Sequence, residues 1–550
     1  MKFHKHSHDA VHWYMNELMC RVVAQTGIVT DKFHVGKLML QSLKDAPDYV
    51  MQIDGNTGEF DTFQSALERS VRCATGFTNM GLKSDDVVII MGPNHKDLVI
   101  PMYAGIYLGI YVHFVDMTLR IKELQDVFEN ILPKIIFCQS EKVFDIESAL
   151  ENIKFSTKIV TFNTGSKHNS FSEFLNTYGD DTPVEEFQPA NFDPSEKTCL
   201  LISTSGTTGV PKCAAITHEN LSIGLPYLWK MASKYPSPVE NALILSPAQW
   251  LSTLAQFILS PILRYTRIQT SKQATLEHIS FLFNKYKPGF TMMSPTMMTT
   301  LMNRAASGEC DLSCLKILMI GGSNVPRTLI DNFKKQNVET EVYVVYGFTE
   351  ISTVVFNAVS TIPGSCGRPY THLHYRLVDP ITKEEVLEAN KSGELWVKGP
   401  VSFKGYYNKP EVTAEVYTTD GWIRSGDLFY RDENWNFFFV DRLKMLLKYR
   451  SHHISPTEVE EVIIKHPGVL DVAVTGIPDE EAGDLAVACV VPRDNYPITA
   501  QEIKDLVKET LADTKQLRGG VVFLKELPLT STSKVNRVML KKIVKEMKRE

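Results

Sequence analysis

The amino-acid sequence predicts an α/β protein with a large N-terminal domain of helix-covered sheets and a small, mobile α+β domain at the C-terminal end. Two observations lead to this prediction. Short apolar runs recur through the first 345 residues, and helix-length amphipathic segments separate many of them. Such alternation favours parallel sheets covered by helices, in which ligands bind beyond the carboxyl ends of the strands. A charged break at Asp441–Lys444 interrupts the pattern, so we expect domains at residues 1–440 and 441–550.

Composition and charge argue against several classes of protein. Of the 550 residues, 43% are hydrophobic and 22% are charged, as in an ordinary soluble globular chain. The net charge of −6 gives no reason to expect a nucleic-acid partner. The nine cysteines are scattered without paired Cys-x-x-Cys sets, and the N-terminal residues lack the apolar core of a secretory signal. We therefore expect reduced thiols in an intracellular, most simply cytoplasmic, protein.

One segment reaches the nominal length of a membrane helix. Leu98–Val115 contains no Asp, Glu, Lys or Arg over 18 residues. Pro101, Gly105, Gly109 and His113 favour instead a buried helix that ends near Gly109 and continues into a strand. No membrane span is predicted.

The apolar runs that predict strands are three to five residues long and are rich in Val, Ile, Leu and Phe. They lie at Val87–Met91, Ile135–Cys138, Ile159–Phe162, Leu200–Ser203, Leu243–Leu245, Phe290–Met293, Ile317–Ile320 and Val342–Val345. The fourth, seventh and eighth of these runs lead directly into polar or glycine-rich segments. Those segments are the candidate binding loops.

The first candidate loop is Ser203–Lys212, which has five hydroxyl residues, two glycines and a lysine within ten positions. Glycine lets backbone N–H groups approach phosphate oxygens, Ser and Thr add donors, and Lys adds a mobile positive charge. Pro211 and the absence of Ser or Thr after Lys212 distinguish the segment from the usual P-loop. We interpret it as a polyphosphate-binding loop; a polar turn between a strand and a helix is the alternative. The residues assigned to phosphate binding are Thr204, Ser205, Gly206, Thr207, Thr208, Gly209 and Lys212.

The second candidate loop is Gly321-Gly322-Ser323, at the end of a predicted strand. The missing side chains would let a flat ring lie against the backbone. A plain turn would have the same composition.

The third candidate loop is Tyr346–Glu350, which offers an aromatic face, a hydroxyl and a carboxylate within five residues. A purine can stack on Tyr346, Thr349 can donate to a phosphate oxygen, and Glu350 can hold Mg²⁺. The alternative is a loop that opens a helix, with Thr349 as N-cap and Glu350 favourable to the helix dipole.

Towards the C-terminal end, Asp427 follows a glycine turn and can accept both hydroxyls of a ribose, although Asp beside Gly is also a common turn residue. A strand at Phe437–Val440 precedes the charged break, which would suit a hinge. Beyond it the predicted elements are a helix at Ser455–His466, strands at Val469–Val474 and Leu485–Val491, a helix at Ala500–Leu511, a strand at Gly520–Leu524 and a helix from Val538.

In this order the motifs resemble the adenylate-forming enzymes, which include acyl-CoA synthetases, plant 4-coumarate–CoA ligases and beetle luciferases. The resemblance covers nearly all 550 residues. The segments that carry it are Ser203–Lys212, Tyr346–Glu350, Pro363–Pro369, Gly393–Leu395, Ser425–Asp427, Asp441–Lys444 and Lys534. Within the family, Leu517–Phe523 looks most like the luciferase-like insect branch.

The resemblance implies a reaction in two steps. A carboxylate attacks the α-phosphorus of Mg·ATP to give an acyl-adenylate, and the thiol of coenzyme A then displaces AMP. The 204–212 loop would hold the β- and γ-phosphates and Tyr346 would stack on adenine. Thr349 would touch the α-phosphate and Glu350 would bind Mg²⁺. Asp427 with Arg442 would hold the ribose.

The resemblance also implies a C-terminal domain that swings over the large domain. Lys534 would bridge the carboxylate and the α-phosphate during adenylation. Lys448 would serve the second step after rotation about Lys444. The residues expected to line the acyl pocket are Trp250, Leu251, Ser252 and Thr353.

The sequence departs from the family where glycine is usual. The substitutes are Cys213, Val345, Ser451 and Ser533. A side chain where backbone approaches a ligand costs about 1 kcal/mol or more. Of the two steps, we expect the CoA step to be the more affected. Gln249 and Trp250 replace a luciferase-like pocket pattern and disfavour light emission. The chain lacks a terminal Ser-Lys-Leu, so a peroxisomal address is not expected.

The sequence therefore predicts an ATP-dependent ligase that joins a small-molecule carboxylic acid, fatty or otherwise hydrophobic, to coenzyme A. Two alternatives stay open. One is a luciferase-like monooxygenase. The other is a weakened paralogue that binds ATP or an acyl-adenylate without efficient CoA transfer.

Overall fold

The computed structural model describes residues 34–204, 212–231, 239–272, 274–323, 325–357, 362, 364–370, 372–450, 452–479, 481–494, 496–529 and 535–550. The helices are α1 Val35–Asp45, α2 Phe63–Asn79, α3 Ile100–Leu108, α4 Ile121–Ile131, α5 Val143–Asn152, α6 Phe171–Tyr178, α7 His218–Met231, α8 Leu251–Leu263, α9 Leu276–Tyr286, α10 Pro295–Ala306, α11 Arg327–Gln336, α12 Pro410–Val416, α13 Pro456–Ile463, α14 Ala500–Thr510 and α15 Arg537–Glu546.

The strands follow the same chain order. They are β1 Val50–Asp54, β2 Phe60–Thr62, β3 Val87–Ile90, β4 Tyr111–Phe114, β5 Ile135–Cys138, β6 Lys158–Thr161, β7 Thr198–Thr204, β8 Lys212–Thr217, β9 Asn241–Leu243, β10 Thr266–Gln269, β11 Phe290–Met293, β12 Ile317–Gly321, β13 Glu341–Val345, β14 Phe356–Asn357, β15 Arg368–Pro369, β16 His374–Val378, β17 Gly393–Lys398, β18 Gly405–Tyr406, β19 Ile423–Arg431, β20 Phe437–Arg442, β21 Leu447–Tyr449, β22 His452–Ile454, β23 Val469–Asp479, β24 Gly483–Pro492 and β25 Gly520–Phe523.

Two largely parallel sheets dominate the first part of the described chain. One has the strand order β18-β8-β7-β4-β3-β5-β6, and the other has the order β13-β12-β11-β9-β10-β1-β2. The pairs β7–β4, β4–β3, β3–β5 and β5–β6 are parallel, as are the pairs that join β13 to β1. This architecture confirms the predicted α/β class, and the eight strands predicted in the first 345 residues each overlap a strand of these two sheets. The strand predicted at Leu243–Leu245 lies earlier in the chain, at Asn241–Leu243, and shares only Leu243 with the prediction.

The hairpin β7–β8 corrects one alternative from the sequence. A polar turn before a helix would place a helix after Lys212, but β8 begins there and runs antiparallel to β7. The apolar run at residues 213–216 pairs with the buried strand β7, which accounts for the strand.

The apolar segment Leu98–Val115 folds as predicted. Helix α3 ends at Gly109, which adopts the left-handed backbone conformation with φ 70°, and β4 follows. Glycine adopts that conformation without the steric cost that a Cβ imposes. In the described part of the chain, no helix is long and apolar enough to cross a membrane.

Beyond β20, the elements build a smaller unit. Strands β21 to β25 form one sheet, in the order β22-β21-β24-β23 with β25 on β24, and have their own apolar core. Ser455 caps α13 by accepting a hydrogen bond from the Glu458 N–H. Helix α13 ends at Ile463, three residues before the predicted end, whereas β23 extends five residues beyond Val474.

An aromatic cluster stabilises the first sheet on one face. The Phe137 ring lies 5.5–6.0 Å, between ring centroids, from four other phenylalanine rings. They are Phe77, Phe162, Phe171 and Phe174. Phe137 itself is fully buried, so its whole ring packs against other protein atoms and stabilises the fold.

Phe137→Ala is expected to lower the free energy of unfolding by about 3–5 kcal/mol, because it removes buried area and leaves a cavity. Phe144→Ala is the matched control, since Phe144 is 72% exposed and its loss should cost less than about 0.5 kcal/mol. Urea unfolding followed by fluorescence measures both changes. Equal losses in the two variants would contradict this account of the core.

Candidate functional site

The two ends of the predicted phosphate loop face each other across the β7–β8 hairpin. Thr204 and Lys212 form a cross-strand pair, and the Thr204 hydroxyl donates to the Lys212 carbonyl oxygen at 3.2 Å. Five residues assigned to phosphate binding lie outside the described residues. They are Ser205, Gly206, Thr207, Thr208 and Gly209. The hairpin therefore fixes where the loop starts and ends, and the roles of its central residues stay predictions.

Lys212 and Glu350 contact opposite parts of one tyrosine. The Lys212 Nζ lies 5.3 Å from the Tyr406 ring centroid, a cation–π distance. The Tyr406 hydroxyl donates to the Glu350 carboxylate. Burial, followed by the charge of Glu350, raises the pKa of the Tyr406 phenol above its usual range, so the phenol keeps its proton. The phosphate-loop cation and the carboxylate assigned to Mg²⁺ are thereby joined through Tyr406.

Sequence reasoning missed Tyr406. It lies in β18, which pairs with β8, and it is 56 positions from Glu350 in the chain. A lone tyrosine carries no local signal for such a contact. Only the pairing of β18 with β8 could have identified it.

Glu350 lies in a single 3-10 turn, Thr349–Ile351, that follows β13. Phe348 occupies the N-cap position and no side chain caps the turn. Ser352 ends the turn with φ 59°. The alternative in which Thr349 is the N-cap of a helix is therefore wrong, because the chain turns too soon for a helix to form. The Phe403 N–H donates to the Glu350 carbonyl oxygen at 2.8 Å and holds the turn against the segment that precedes β18.

Tyr346 lies with the residues predicted to hold a ribose. Its hydroxyl donates to the Asp427 carboxylate at 2.7 Å, and the Arg442 Nε lies 3.3 Å from the other Asp427 oxygen. Asp427 and Arg442 are cross-strand partners in β19 and β20. Burial and the charge of Asp427 raise the pKa of the Tyr346 phenol well above its usual range. Phe429 packs edge-on against the Tyr346 ring at 4.6 Å.

Asp427 is not a turn residue. It lies within β19, beside Gly426, whose φ of 70° makes the strand irregular there without ending it, whereas the turn at Gly421, with φ 83°, precedes the strand. Its side chain is 4% exposed, whereas the Arg442 side chain is 47% exposed. A nearly buried carboxylate that accepts a hydrogen bond from Tyr346 and pairs with Arg442 fits a hydroxyl-binding role.

Glycine is needed at 321 and at 322 for different reasons. Gly321 pairs with Val345 on β13, and a Cβ on Gly321 would lie 2.3 Å from the Val345 carbonyl oxygen. Gly322 has φ 86°, and a Cβ there would meet no atom within 4 Å. Gly321 is thus needed for strand packing. Gly322 and Ser323 are exposed, which leaves room for a flat ring.

The predicted acyl-pocket residues lie on two segments. Trp250 is the N-cap of α8, and Leu251 and Ser252 form its first turn; all three are half-buried. Thr353 follows the Glu350 turn and is buried against Gly224 of α7. Its hydroxyl has no hydrogen-bond partner among the described residues. Their use in binding an acid stays a prediction.

The predicted hinge and the two catalytic lysines are placed differently. Lys444 is in a 3-10 turn, Leu443–Met445, directly after β20. Lys448 is exposed in β21, opposite His453, and its backbone N–H donates to the Asp484 carboxylate at 3.0 Å. Lys534, Ser451 and Ser533 lie outside the described residues.

Asp441, at the start of this hinge, has partners in the smaller unit. Its carboxylate accepts hydrogen bonds from the Ser455 hydroxyl at 2.6 Å and from the Thr457 N–H at 3.2 Å. These bonds attach the end of β20 to the first turn of α13.

The sequence matches two family models and several curated relatives over most of its length. The family model of AMP-binding enzymes matches residues 40–407, and that of the AMP-binding enzyme C-terminal domain matches residues 458–534. The luciferin 4-monooxygenase of Photuris pensylvanica is 31% identical over 523 residues, which is 92% of this chain and 94% of that protein. The probable 4-coumarate–CoA ligase 1 of Dictyostelium discoideum is 26% identical over 537 residues, which is 94% of this chain and 96% of that protein.

Two solved structures extend the comparison. ATP-bound MatB from Rhodopseudomonas palustris has a TM-score of 0.81 at 21% identity, covering 94% of this chain and 99% of that chain. The luciferase-like enzyme from the nonluminescent mealworm Zophobas morio has a TM-score of 0.68 at 27% identity, covering 75% and 96%. The first likeness concerns the fold alone. Because the family match spans well over half of the sequence, the chain belongs to the adenylate-forming AMP-binding enzymes.

Proposed function

We propose that the chain uses ATP to convert a carboxylic acid to an acyl-adenylate and then transfers the acyl group to coenzyme A. The observation that carries this proposal is the position of the segment Tyr346–Glu350. Its first residue donates to Asp427, and its last accepts a hydrogen bond from Tyr406, whose ring contacts Lys212. A nucleotide along this segment would have its sugar at the Asp427 end and its phosphates at the Lys212 end.

The first step needs placed positive charge more than a general acid or base. A carboxylate oxygen bonds to the α-phosphorus while the bond to pyrophosphate breaks, and negative charge spreads over the phosphoryl oxygens. Lys212 and Lys534 would offset that charge, and the Thr349 hydroxyl would donate to the α-phosphate. The neutral Tyr406 phenol would keep the Glu350 carboxylate in place.

Glu350 fits a magnesium site. Its carboxylate is half-buried and has one identified hydrogen-bond donor. In the described part of the chain, no group of three or more His, Cys, Asp or Glu side chains lies together to hold a metal by itself. Mg²⁺ commonly uses one or two carboxylates together with the phosphates of its nucleotide. When bound, the ion would neutralise charge on the leaving pyrophosphate.

For the second step, we propose a domain division at residue 441 and rotation about Lys444. Rotation would replace Lys534 by Lys448 at the adenylate, and the CoA thiol would then attack the acyl carbon and release AMP. The 4-coumarate–CoA ligase relatives support this step. The substrate we favour is a fatty or other hydrophobic acid, because Trp250 and Leu251 supply apolar surface at the start of α8.

A second candidate is oxygenation of an acyl-adenylate, which the luciferin 4-monooxygenase relatives favour. The sequence Gln249-Trp250 weakens that candidate for light emission from beetle luciferin, because neither side chain is a base or a cation at neutral pH. The two candidates share the adenylation step.

ATP–pyrophosphate exchange with short-chain, long-chain and aromatic acids tests the proposal, followed by measurement of acyl-CoA with the best acid. We expect acid-dependent exchange and thioester formation. Exchange without thioester would restrict the chain to the first step and direct attention to Ser451. An absence of exchange with every acid would overturn the proposal and favour a nucleotide-binding paralogue.

Lys534→Ala is expected to lower the exchange rate at least about a hundredfold while ATP still binds, because a cation that acts on developing charge contributes mainly in the transition state. Lys448→Ala should spare exchange and slow thioester formation. Exchange and acyl-CoA assays on both variants separate the steps. Loss of exchange in Lys448→Ala equal to its loss of thioester formation would contradict the rotation.

Tyr406→Phe keeps the ring near Lys212 and removes the hydrogen bond to Glu350. A hydrogen bond to a charged group contributes about 1.5–3 kcal/mol, so we expect the KM for Mg·ATP to rise roughly tenfold or more. Tyr407→Phe is the matched control, since the Tyr407 ring packs against Tyr111 and should leave KM unchanged. The proposed role of Tyr406 fails if the two variants behave alike.

A further inference from the structure

A cysteine and a histidine lie together at the base of the predicted phosphate loop. Cys213 directly follows Lys212 in β8 and is the cross-strand partner of Ser203 in β7. His113 lies in β4, next to β7, and is fully buried. The Cys213 Sγ is 3.8 Å from the His113 Nε2 and 3.8 Å from the Ser203 Oγ. The proposed ATP chemistry does not use this pair.

The backbone fixes which nitrogen of His113 faces the thiol as a base. The His113 Nδ1 lies 2.7 Å from the Leu201 carbonyl oxygen. A carbonyl oxygen only accepts hydrogen bonds, so Nδ1 carries the hydrogen and the neutral ring presents the lone pair of Nε2 to Cys213. A thiol, a facing base and a group that orients the base are the components of an activated cysteine nucleophile.

The surroundings of Cys213 are apolar except for a few groups. His113 faces it from β4, Ser203 faces it from β7, and the Tyr407 phenol next to β18 is electrostatically coupled to it. Burial alone would raise the pKa of the Cys213 thiol, but the charge and hydrogen bond of His113 and the Ser203 hydroxyl outweigh it and lower the pKa. The facing sulfur likewise raises the pKa of His113 against the effect of burial.

The pKa of other cysteines in the described chain is raised, not lowered. Burial raises the pKa of Cys138 to about 12 and that of the half-buried Cys314 to about 11. At neutral pH, Cys213 therefore has a larger thiolate fraction than Cys314, although Cys314 is the more exposed. Thiolate is the form that reacts with oxidants.

We propose that Cys213 is a peroxide-reactive thiol and that its oxidation to sulfenic acid weakens ATP binding by the adjacent phosphate loop. The sulfur attacks one oxygen of hydrogen peroxide, an S–O bond forms and the O–O bond breaks. The sulfur is oxidised by two electrons. The His113 Nε2 accepts the proton of the thiol and passes it to the departing hydroxide, which becomes water. Two equivalents of a small thiol reverse the change, through a mixed disulfide and loss of water.

The coupling to ATP follows from packing. Cys213 is 3% exposed, and an added oxygen must displace the Ser203 hydroxyl or the His113 ring, both of which already contact the sulfur. Overpacking a closed site shifts the backbone. Here the backbone is that of the β7–β8 pair, whose ends Thr204 and Lys212 begin and end the phosphate loop. This effect on ATP rests on the function proposed above.

The experiment treats the folded full chain with hydrogen peroxide, removes the peroxide, and then unfolds the chain in dimedone so that a buried sulfenic acid can react. Peptide mass spectrometry locates the adduct, and calorimetry measures the ATP affinity of the folded chain before and after treatment with peroxide alone. We expect Cys213 to be labelled before Cys314, and the ATP dissociation constant to rise roughly tenfold and to recover with dithiothreitol. Cys213→Ser should bind ATP and resist peroxide. Cys314→Ser should respond like the original chain.

His113→Asn keeps a donor for the Leu201 carbonyl oxygen but removes the base, so Cys213 should be labelled more slowly. Labelling of Cys314 before Cys213, or unchanged ATP affinity once Cys213 is oxidised, would overturn the inference. Failure of the reduced chain to bind ATP would instead overturn the proposed function, because labelling of Cys213 does not depend on nucleotide.

Discussion

Parallel pairing of β12 and β13 is the constraint on which the candidate site depends. It places Gly321 opposite Val345 at the carboxyl ends of the two strands, so the 321–323 and 346–350 segments begin side by side. From there, Tyr346 reaches Asp427 on β19, and Glu350 reaches Tyr406 on β18. Ligands in such sheets bind at this edge because the connecting loops are free to carry polar groups while the strands hold their starting points.

Much of the fold could be predicted from the sequence, because strand and helix signals are local. The apolar runs indicate strands by their composition, and Gly109 indicates the end of a helix because it can adopt positive φ. The structure has strands and a helix end at these positions. The hydrogen bond of Tyr406 to Glu350 and the attachment of Asp441 to Ser455 could not be read in this way. The first joins residues 56 positions apart through the pairing of β18 with β8, and the second joins a strand to the N-cap residue of a helix 14 positions later. A single side chain gives no sign of such a partner.

Polar contacts also determine what domain rotation would cost. The Asp441 carboxylate accepts hydrogen bonds from the Ser455 hydroxyl and the Thr457 N–H in α13. Rotation about Lys444 would move α13 relative to β20 and break these bonds. Hydrogen bonds to a charged group contribute about 1.5–3 kcal/mol each, a cost that contacts in the rotated arrangement must offset. Asp441 would thus stabilise the observed arrangement.

In the proposed reaction, the site joins a carboxylate oxygen to the α-phosphorus of ATP. Acid labelled with ¹⁸O in its carboxylate tests this bond directly, because attack of the CoA thiol at the acyl carbon leaves the bridging oxygen on phosphorus. Mass spectrometry of the released AMP should then show one ¹⁸O per molecule, with the matching acyl-CoA retaining one label. AMP without ¹⁸O, formed at the same rate as acyl-CoA, would contradict an acyl-adenylate and with it the role assigned to the Tyr346–Glu350 segment.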